Sequence, residues 1–351
     1  MCAVISGAGT GPGCLKKLLA PISKDSFQNS IRRLHILFGV YTTTSPEPLP
    51  SPGLIITPEI RNQSELYLPI DEIAAIFNRF YSAALTYPPI LSSTPFHNAM
   101  SWADSFAALP AEFQFSANPA RLLESLLADS GRLARFLFAS FLPNRFYGGI
   151  GRYPGQQQLI REWLTTRKAE SVHCLDAACG TGEESYCLAL LLSEAGLLPD
   201  RIRIDGWTLE PLEVWAAAHR RFPHDRRREL LFRGKTRTLF EQGFQKCIRF
   251  SSVDLAKVPL SPPLPQRGKY FDLIICNGLL GGPIINGKEQ LKRTVTNLTN
   301  LLAPGGILLA ADNFHGGWKQ KCPQSSLRAL FEACGLKNIE YSDGIGGLKL
   351  Y

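Results

Sequence analysis

The segment VHCLDAACGTGEES, residues 172–185, constrains the fold more than any other. An apolar run ends on Asp176, small residues and glycines follow at two-residue spacing, and a helix-forming stretch opens near Glu183. Strand, glycine turn and helix in that order begin a βαβ unit and leave a ligand seat at the strand's carboxyl end. Gly180 and Gly182 are expected to let the main chain approach a ligand, because a side chain there would fill its volume. Ala178 is the small, non-glycine member of the spacing. A tight turn without a ligand uses the same residues, but acid, spacing and helical register together favour a site. By contrast GAGTGPG, residues 7–13, follows a very short apolar run and lacks a later acid, so it reads as a flexible terminus.

Beyond Pro143, short apolar runs alternate with longer helical stretches. Strands are expected at 171–176, 203–209, 246–251, 271–276 and 306–311, mostly followed by helices, which implies parallel strands joined by crossovers. The ending, helix SSLRALFEACG and then KNIEYSD and GLKLY around a glycine-rich turn, implies a C-terminal antiparallel hairpin. The fold class is therefore α/β, Rossmann-like, with a mostly parallel sheet. Before it, DEIAAIFNRFYSAAL from Asp71 and PARLLESLLADSGRLARFLFASF from Pro119 space apolar residues by three and four, as amphipathic helices do. YTTTSPEPLPSPGLIITP, residues 41–58, reads as a proline-rich linker. The chain of 351 residues then divides into a mainly helical region, 1–142, and a ligand-binding α/β domain, 143–351.

Nine cysteines form no CxxC pair and no metal-ligand spacing beside histidines, so reduced thiols and no metal site are expected. No export signal is visible and no stretch reaches about 18 consecutive apolar residues. A cytoplasmic protein without a membrane span is the resulting expectation. Much of the net charge of +8 comes from Arg220, Arg221, Arg226, Arg227, Arg228, Arg233, Lys235 and Arg237. Without an aromatic-interleaved recognition motif, that run reads as a solvated face and not as a nucleic-acid surface.

CGTGEESY, with FDLIICNGLL and LLAPGGILLAAD downstream, resembles the chemotaxis-receptor (CheR-type) protein-glutamate methyltransferases over roughly residues 143–318. Cys179, Gly180, Thr181, Gly182, Glu183, Glu184 and Tyr186 match that family's cofactor-loop signature, with Cys187 replacing a serine. The resemblance implies a class I methyltransferase domain, for which a final hairpin is usual, and S-adenosylmethionine as cofactor. It brings Asp176, Ala178 and Thr181 to the cofactor with the glycines and takes Glu183 to the cofactor's amino group. Glu184 is explained equally well by the helix dipole, which favours an acid in the first turn. On the family's second strand an acid accepts both ribose hydroxyls; in GWTLEP, Thr208 falls on its first acidic position and Glu210 supplies the nearby carboxylate. Asp254, in FSSVDL, falls where an acceptor for the adenine amino group is expected, or else starts a turn. Asn277 and Gly278 end the fourth strand on the cofactor side.

The chain departs from the family where its substrate-orienting arginine belongs: NRFYGG keeps Tyr147 but carries Gly148 and Gly149 in place of the arginine and the acid. Arg152, four residues beyond Gly148, is the candidate to replace that cation, with Tyr147 beside it. GLLGGP also replaces an aromatic pair, so a wider pocket is expected. An amine or hydroxyl acceptor would require deprotonation, for which His173, His219 and His315 are the candidate bases and His315 the best placed. The function implied is methyl transfer to a protein or small-molecule acceptor. A cofactor-binding regulator or scaffold without turnover accounts for the same residues.

Overall fold

The computed structural model describes residues 4–6, 12–142, 149–167, 170–256, 270–282, 285–311 and 322–350. Contacts divide the chain into two compact units, Gly11–Arg145 with Phe222–Arg226, and Met1–Thr10 with Phe146–Arg221 and Arg227–Tyr351.

The first unit is helical. Its α-helices are α1 (Gln28–Thr44), α2 (Pro58–Tyr67), α3 (Ile70–Ala84), α4 (Trp102–Ala108), α5 (Pro119–Ala128) and α6 (Ser130–Phe141). On α3 the buried residues Ile73, Ile76, Phe77, Phe80, Tyr81 and Ala84 recur at three and four, the stripe that a helix needs to reach a core. Aromatic rings fill that core: Phe77 stacks on Phe96 at 4.3 Å, and Tyr81 lies parallel to Phe136 at 5.8 Å while its hydroxyl meets Ser140 Oγ at 2.8 Å. The helix expected from Pro119 is two. Asp129 adopts an extended conformation and its Oδ1 accepts the N–H groups of Gly131 and Arg132, which caps α6 and ends α5. The linker expected at 41–58 is shorter too, since α1 runs through Thr44 and the buried Tyr41 stacks on Tyr67. At its far end Thr57 caps α2 and Pro58 takes the first helical position, where a missing N–H is harmless.

The second unit is built on an eight-stranded sheet in the order β1-β4-β3-β2-β5-β6-β8-β7. The strands are β1 (Val4–Ser6), β2 (Val172–Asp176), β3 (Ile202–Thr208), β4 (Ile248–Ser252), β5 (Phe271–Ile275), β6 (Leu302–Ala311), β7 (Leu336–Tyr341) and β8 (Gly344–Lys349). Strands β4, β3, β2, β5 and β6 are parallel, and β8 and β7 close one edge as an antiparallel hairpin. This is the mostly parallel, Rossmann-like sheet that the alternation implied, closed by the antiparallel hairpin expected at the C-terminal end. Two features differ from the expectation. Val4–Ser6, for which no strand was expected, is a strand antiparallel to β4; of the segment 7–13 expected to be a flexible terminus, residues 7–11 lie outside the described residues and Pro12 opens a short 3-10 helix, Pro12–Lys17. Strand β6 begins at Leu302, and the pairing with β5 shifts register between Phe271 and Leu273 as it passes Pro304 and Gly305.

The helices of this unit are α7 (Pro154–Arg167), α8 (Glu183–Glu194), α9 (Pro211–His219), α10 (Arg226–Lys235), α11 (Arg237–Glu241), α12 (Lys288–Leu301) and α13 (Gln324–Ala333). Parallel strands buried on both faces read as continuous apolar runs, and Leu175, Ile274 and Leu308 from β2, β5 and β6 join Val295, Leu298 and Phe331 from α12 and α13 in one core. The chain moves outward in one direction from β2 through β3 to β4 and in the other through β5 to β6. The crevice beyond the carboxyl ends of β2 and β5 is therefore the switch point at which such sheets hold ligands.

Candidate functional site

The turn after β2 is fixed by backbone hydrogen bonds to both neighbouring strands. The N–H of Ala177 donates to the Ile275 carbonyl at 2.8 Å, and that of Cys179 to the Trp207 carbonyl at 2.9 Å. Gly180 and Gly182 then adopt φ of +49° and +89°, and Gly182 caps α8 without a side chain. Their reasons for being glycine differ. A Cβ on Gly182 would lie 3.0 Å from Ala217 Cβ and 3.1 Å from the Phe250 ring, so close packing of the turn against α9 and β4 excludes a side chain, and not ligand volume as expected from sequence. A Cβ on Gly180 would meet only Glu213 Oε1, at 3.9 Å, and points into room.

Carboxylates cluster at this turn, and Glu213 faces that room. Asp176, at the end of β2, is buried; its Oδ2 accepts from Ser185 Oγ at 2.7 Å, which ties the strand to the first turn of α8. Burial raises its pKa to about 7 against the opposing help of Ser185 and Arg152. Glu184 is buried as well, and burial likewise raises it to about 7 although Arg152 Nε donates to its Oε1 at 2.9 Å. Glu183 receives Thr181 Oγ1 on Oε2 at 2.6 Å and Arg228 Nη2 on Oε1 at 2.5 Å. Glu213, on α9, accepts from Thr208 Oγ1, and burial raises it to about 7, with neighbouring Glu210 and Glu183 adding to the rise. Glu210 Oε1 accepts the N–H of Leu212 at 3.1 Å and so caps α9.

The structure thus brings Asp176, Ala178, Gly180, Thr181, Gly182 and Glu183 together in one turn, with Glu210 at the start of α9. Arg152 turns inward where a glycine-rich loop would ordinarily expose it. Its side chain is 20% exposed, bonded to Glu184, with the guanidinium 4.8 Å from the Tyr153 ring centre. Asp254 accepts the N–H of Ala256 at 3.0 Å, the turn-starting contact weighed against an adenine role. Asn277 reaches the carboxyl end of β5 but is held in a reciprocal amide pair: its Nδ2 donates to Gln156 Oε1 at 2.8 Å and its Oδ1 accepts from Gln156 Nε2 at 2.9 Å and from the Ala311 N–H at 3.0 Å. Gly278 follows with φ of +72° and donates its N–H to the Ala311 carbonyl. Of the histidines, His173 sits near the start of β2, bonded to Asp205 at 2.7 Å, far along the strand from the turn, and His219 bonds the Trp215 carbonyl on its own helix. Tyr147, Gly148 and His315 lie outside the described residues.

Glu213, Arg228 and Gln156 escaped the sequence reading. Glu213 lies three residues beyond Glu210, and a helical register for PLEVWAAAH brings it under the turn. Arg228 was hidden in a basic run, which is not uniformly solvated. Arg228 is 10% exposed, and Arg220 bonds Thr236 Oγ1 at 3.0 Å and stacks on the Phe240 ring. Among the described residues no cluster of histidine, cysteine or acid side chains is arranged for a metal, and no helix is long and apolar enough to cross a membrane.

No family model matches the chain. The probable biofilm formation methyltransferase WspC of Pseudomonas putida KT2440 is 30% identical over 144 residues, 40% of this chain and 33% of that protein, so the match spans about a third of the relative. Among solved structures, the N-methyltransferase NodS of Bradyrhizobium japonicum WM9 in complex with S-adenosyl-L-homocysteine is 16% identical, with a TM-score of 0.39 over 63% of this chain and 97% of that one. A putative rRNA-methylase from Clostridium thermocellum is 12% identical, with a TM-score of 0.37 over 56% and 98%. At those scores neither structure carries an argument about this site.

Proposed function

We propose that this chain is a CheR-like, S-adenosylmethionine-dependent methyltransferase whose acceptor is a carboxylate. The observation that carries the reading is the cluster of Asp176, Glu183 and Glu213 at the turn after β2, with the space above Gly180 open towards Glu213. Such a lining suits a ligand that combines positive charge with a diol. In this reading Glu213, not Glu210, takes the ribose hydroxyls, because Glu210 Oε1 already caps α9 while Glu213 Oε1 faces the glycine. Glu183 takes the amino group and Asp176 anchors the turn. Asn277, Gly278 and Asp254 wall the adenine end through the backbone that they order.

When bound, the cofactor supplies a methyl carbon on a sulfonium that already carries its leaving group. The protein's part is alignment and exclusion of water. Arg152, steadied by Glu184 on one side and the Tyr153 ring on the other, is proposed to orient the acceptor carboxylate by charge-assisted hydrogen bonds. A carboxylate of ordinary pKa, about 4.3, is ionised near neutrality and needs no base. That agrees with the engagement of His173 and His219 elsewhere. Tyr147 is assigned beside Arg152 on the family resemblance alone.

The test is incubation of the full chain with methyl-labelled S-adenosylmethionine and bacterial extract, followed by mild alkali. Label released as methanol supports a carboxyl methyl ester. Alkali-stable label overturns the carboxylate acceptor, and cofactor binding without transfer favours the regulator or scaffold reading.

A further inference from the structure

Helix α10 presents most of its arginines to solvent, as Arg233 with a 47% exposed side chain does, but turns Arg228 inward to 10%. There Nη2 of Arg228 donates to Thr181 Oγ1 at 2.6 Å and to Glu183 Oε1 at 2.5 Å. Glu183 is 13% exposed, so a guanidinium and a carboxylate lie side by side, nearly out of water, on the glycine turn itself. Burying both charges costs more than burying an uncharged pair of similar size, and a mere tie between α10 and the turn would not require them. A cation and an anion at hydrogen-bond separation do match one kind of ligand group closely. An α-amino acid carries its ammonium and carboxylate on a single carbon and meets such a pair head to head, each charge facing its opposite.

Resting on the methyltransferase reading of the same turn, we infer that Arg228 and Glu183 together seat the α-amino-acid head of the cofactor. Arg228 receives the carboxylate and Glu183 the ammonium. The exchange replaces one ion pair within the protein by two with the ligand, so the buried site stays balanced in charge. Thr181 Oγ1, which donates to Glu183 and accepts from Arg228, holds both groups in register during that exchange. Arg228 is then the residue by which this chain selects a cofactor that carries a carboxylate over one that lacks it.

Calorimetric titration of the full chain with S-adenosylmethionine and with decarboxylated S-adenosylmethionine tests this, in wild type and in Arg228→Met, Arg228→Lys and the exposed control Arg233→Met. The wild type and Arg233→Met are expected to prefer the carboxylate-bearing ligand by about ten- to a hundredfold, the range for a hydrogen bond between charged groups. Arg228→Met should abolish the preference by weakening that ligand alone, and Arg228→Lys should retain part of it. Melting curves identify a variant that fails to fold, in which case the wild-type preference and the lysine variant still decide. Equal wild-type affinities overturn the assignment and leave the methyltransferase reading standing. Arg228→Met weakening both ligands alike, or tightening both, also overturns it. A wild type that binds neither ligand overturns the underlying reading with it.

Discussion

Glu210 and Glu213 are three positions apart on one segment, and their geometry assigns them different work. Glu210→Ala removes the cap of α9 and is expected to cost about 1 kcal/mol of stability, read by denaturant melts, with little change in cofactor affinity. Glu213→Gln keeps the shape and removes the charge facing Gly180, and is expected to weaken S-adenosylmethionine binding by about tenfold or more at neutral pH. Acidity adds a second signature. Burial raises Glu213 from its ordinary 4.5 to about 7, so the folded chain binds this proton more tightly than the unfolded one does. The stability that comes with the proton is complete below about pH 4.5 and is lost as pH rises through 7. Glu213→Gln should therefore gain stability relative to wild type between pH 5 and pH 8, measured as the difference of their unfolding free energies. A gap that does not change with pH contradicts the raised carboxyl. A cationic ligand favours the ionised forms of Asp176, Glu184 and Glu213, so affinity should rise over the same interval, with proton release on binding below pH 7.

At the scale of elements, the two turn glycines give the sharpest contrast. Gly182→Ala brings a Cβ to 3.0 Å from Ala217 at φ +89° and is expected to destabilise by about 2 kcal/mol, whereas Gly180→Ala meets only the strain of its positive φ, about 1 kcal/mol, and shows its larger effect on ligand affinity. Chemical melts with parallel titrations check both, and equal affinity losses at the two positions would refute the distinction. Strands β2 to β6 were legible because parallel strands leave long apolar runs and because glycine and proline punctuate them. The break at Asp129 was also written in the sequence, as an aspartate before Ser130 and Gly131, but apolar spacing continues across it and masks the cap. Strand β1 was not legible: three residues carry no periodicity, and only pairing to β4 makes them a strand. The inward turns of Arg152 and Arg228 were equally hidden, since a side chain's direction in a loop or basic run depends on an acid distant in sequence, Glu184 and Glu183 respectively.

For the whole molecule, the order of strands sets where chemistry is possible. The reversal at β2 opens the crevice, the turn after β2 floors it, and α8, α9 and α10 each bring a charged side chain to that floor: Glu183, Glu213 and Arg228. In the proposed reading, Arg152 and Glu213 supply the charges that Gly148 and Thr208 do not. The helical unit has a core of stacked aromatic rings of its own. The most direct measurement is isothermal titration of the full chain with S-adenosylmethionine and S-adenosylhomocysteine, repeated on Glu213→Gln. One saturable site for each ligand in the wild type, weakened by about tenfold or more in the variant, is the expected result. A well-folded wild type that binds neither ligand would contradict the central claim.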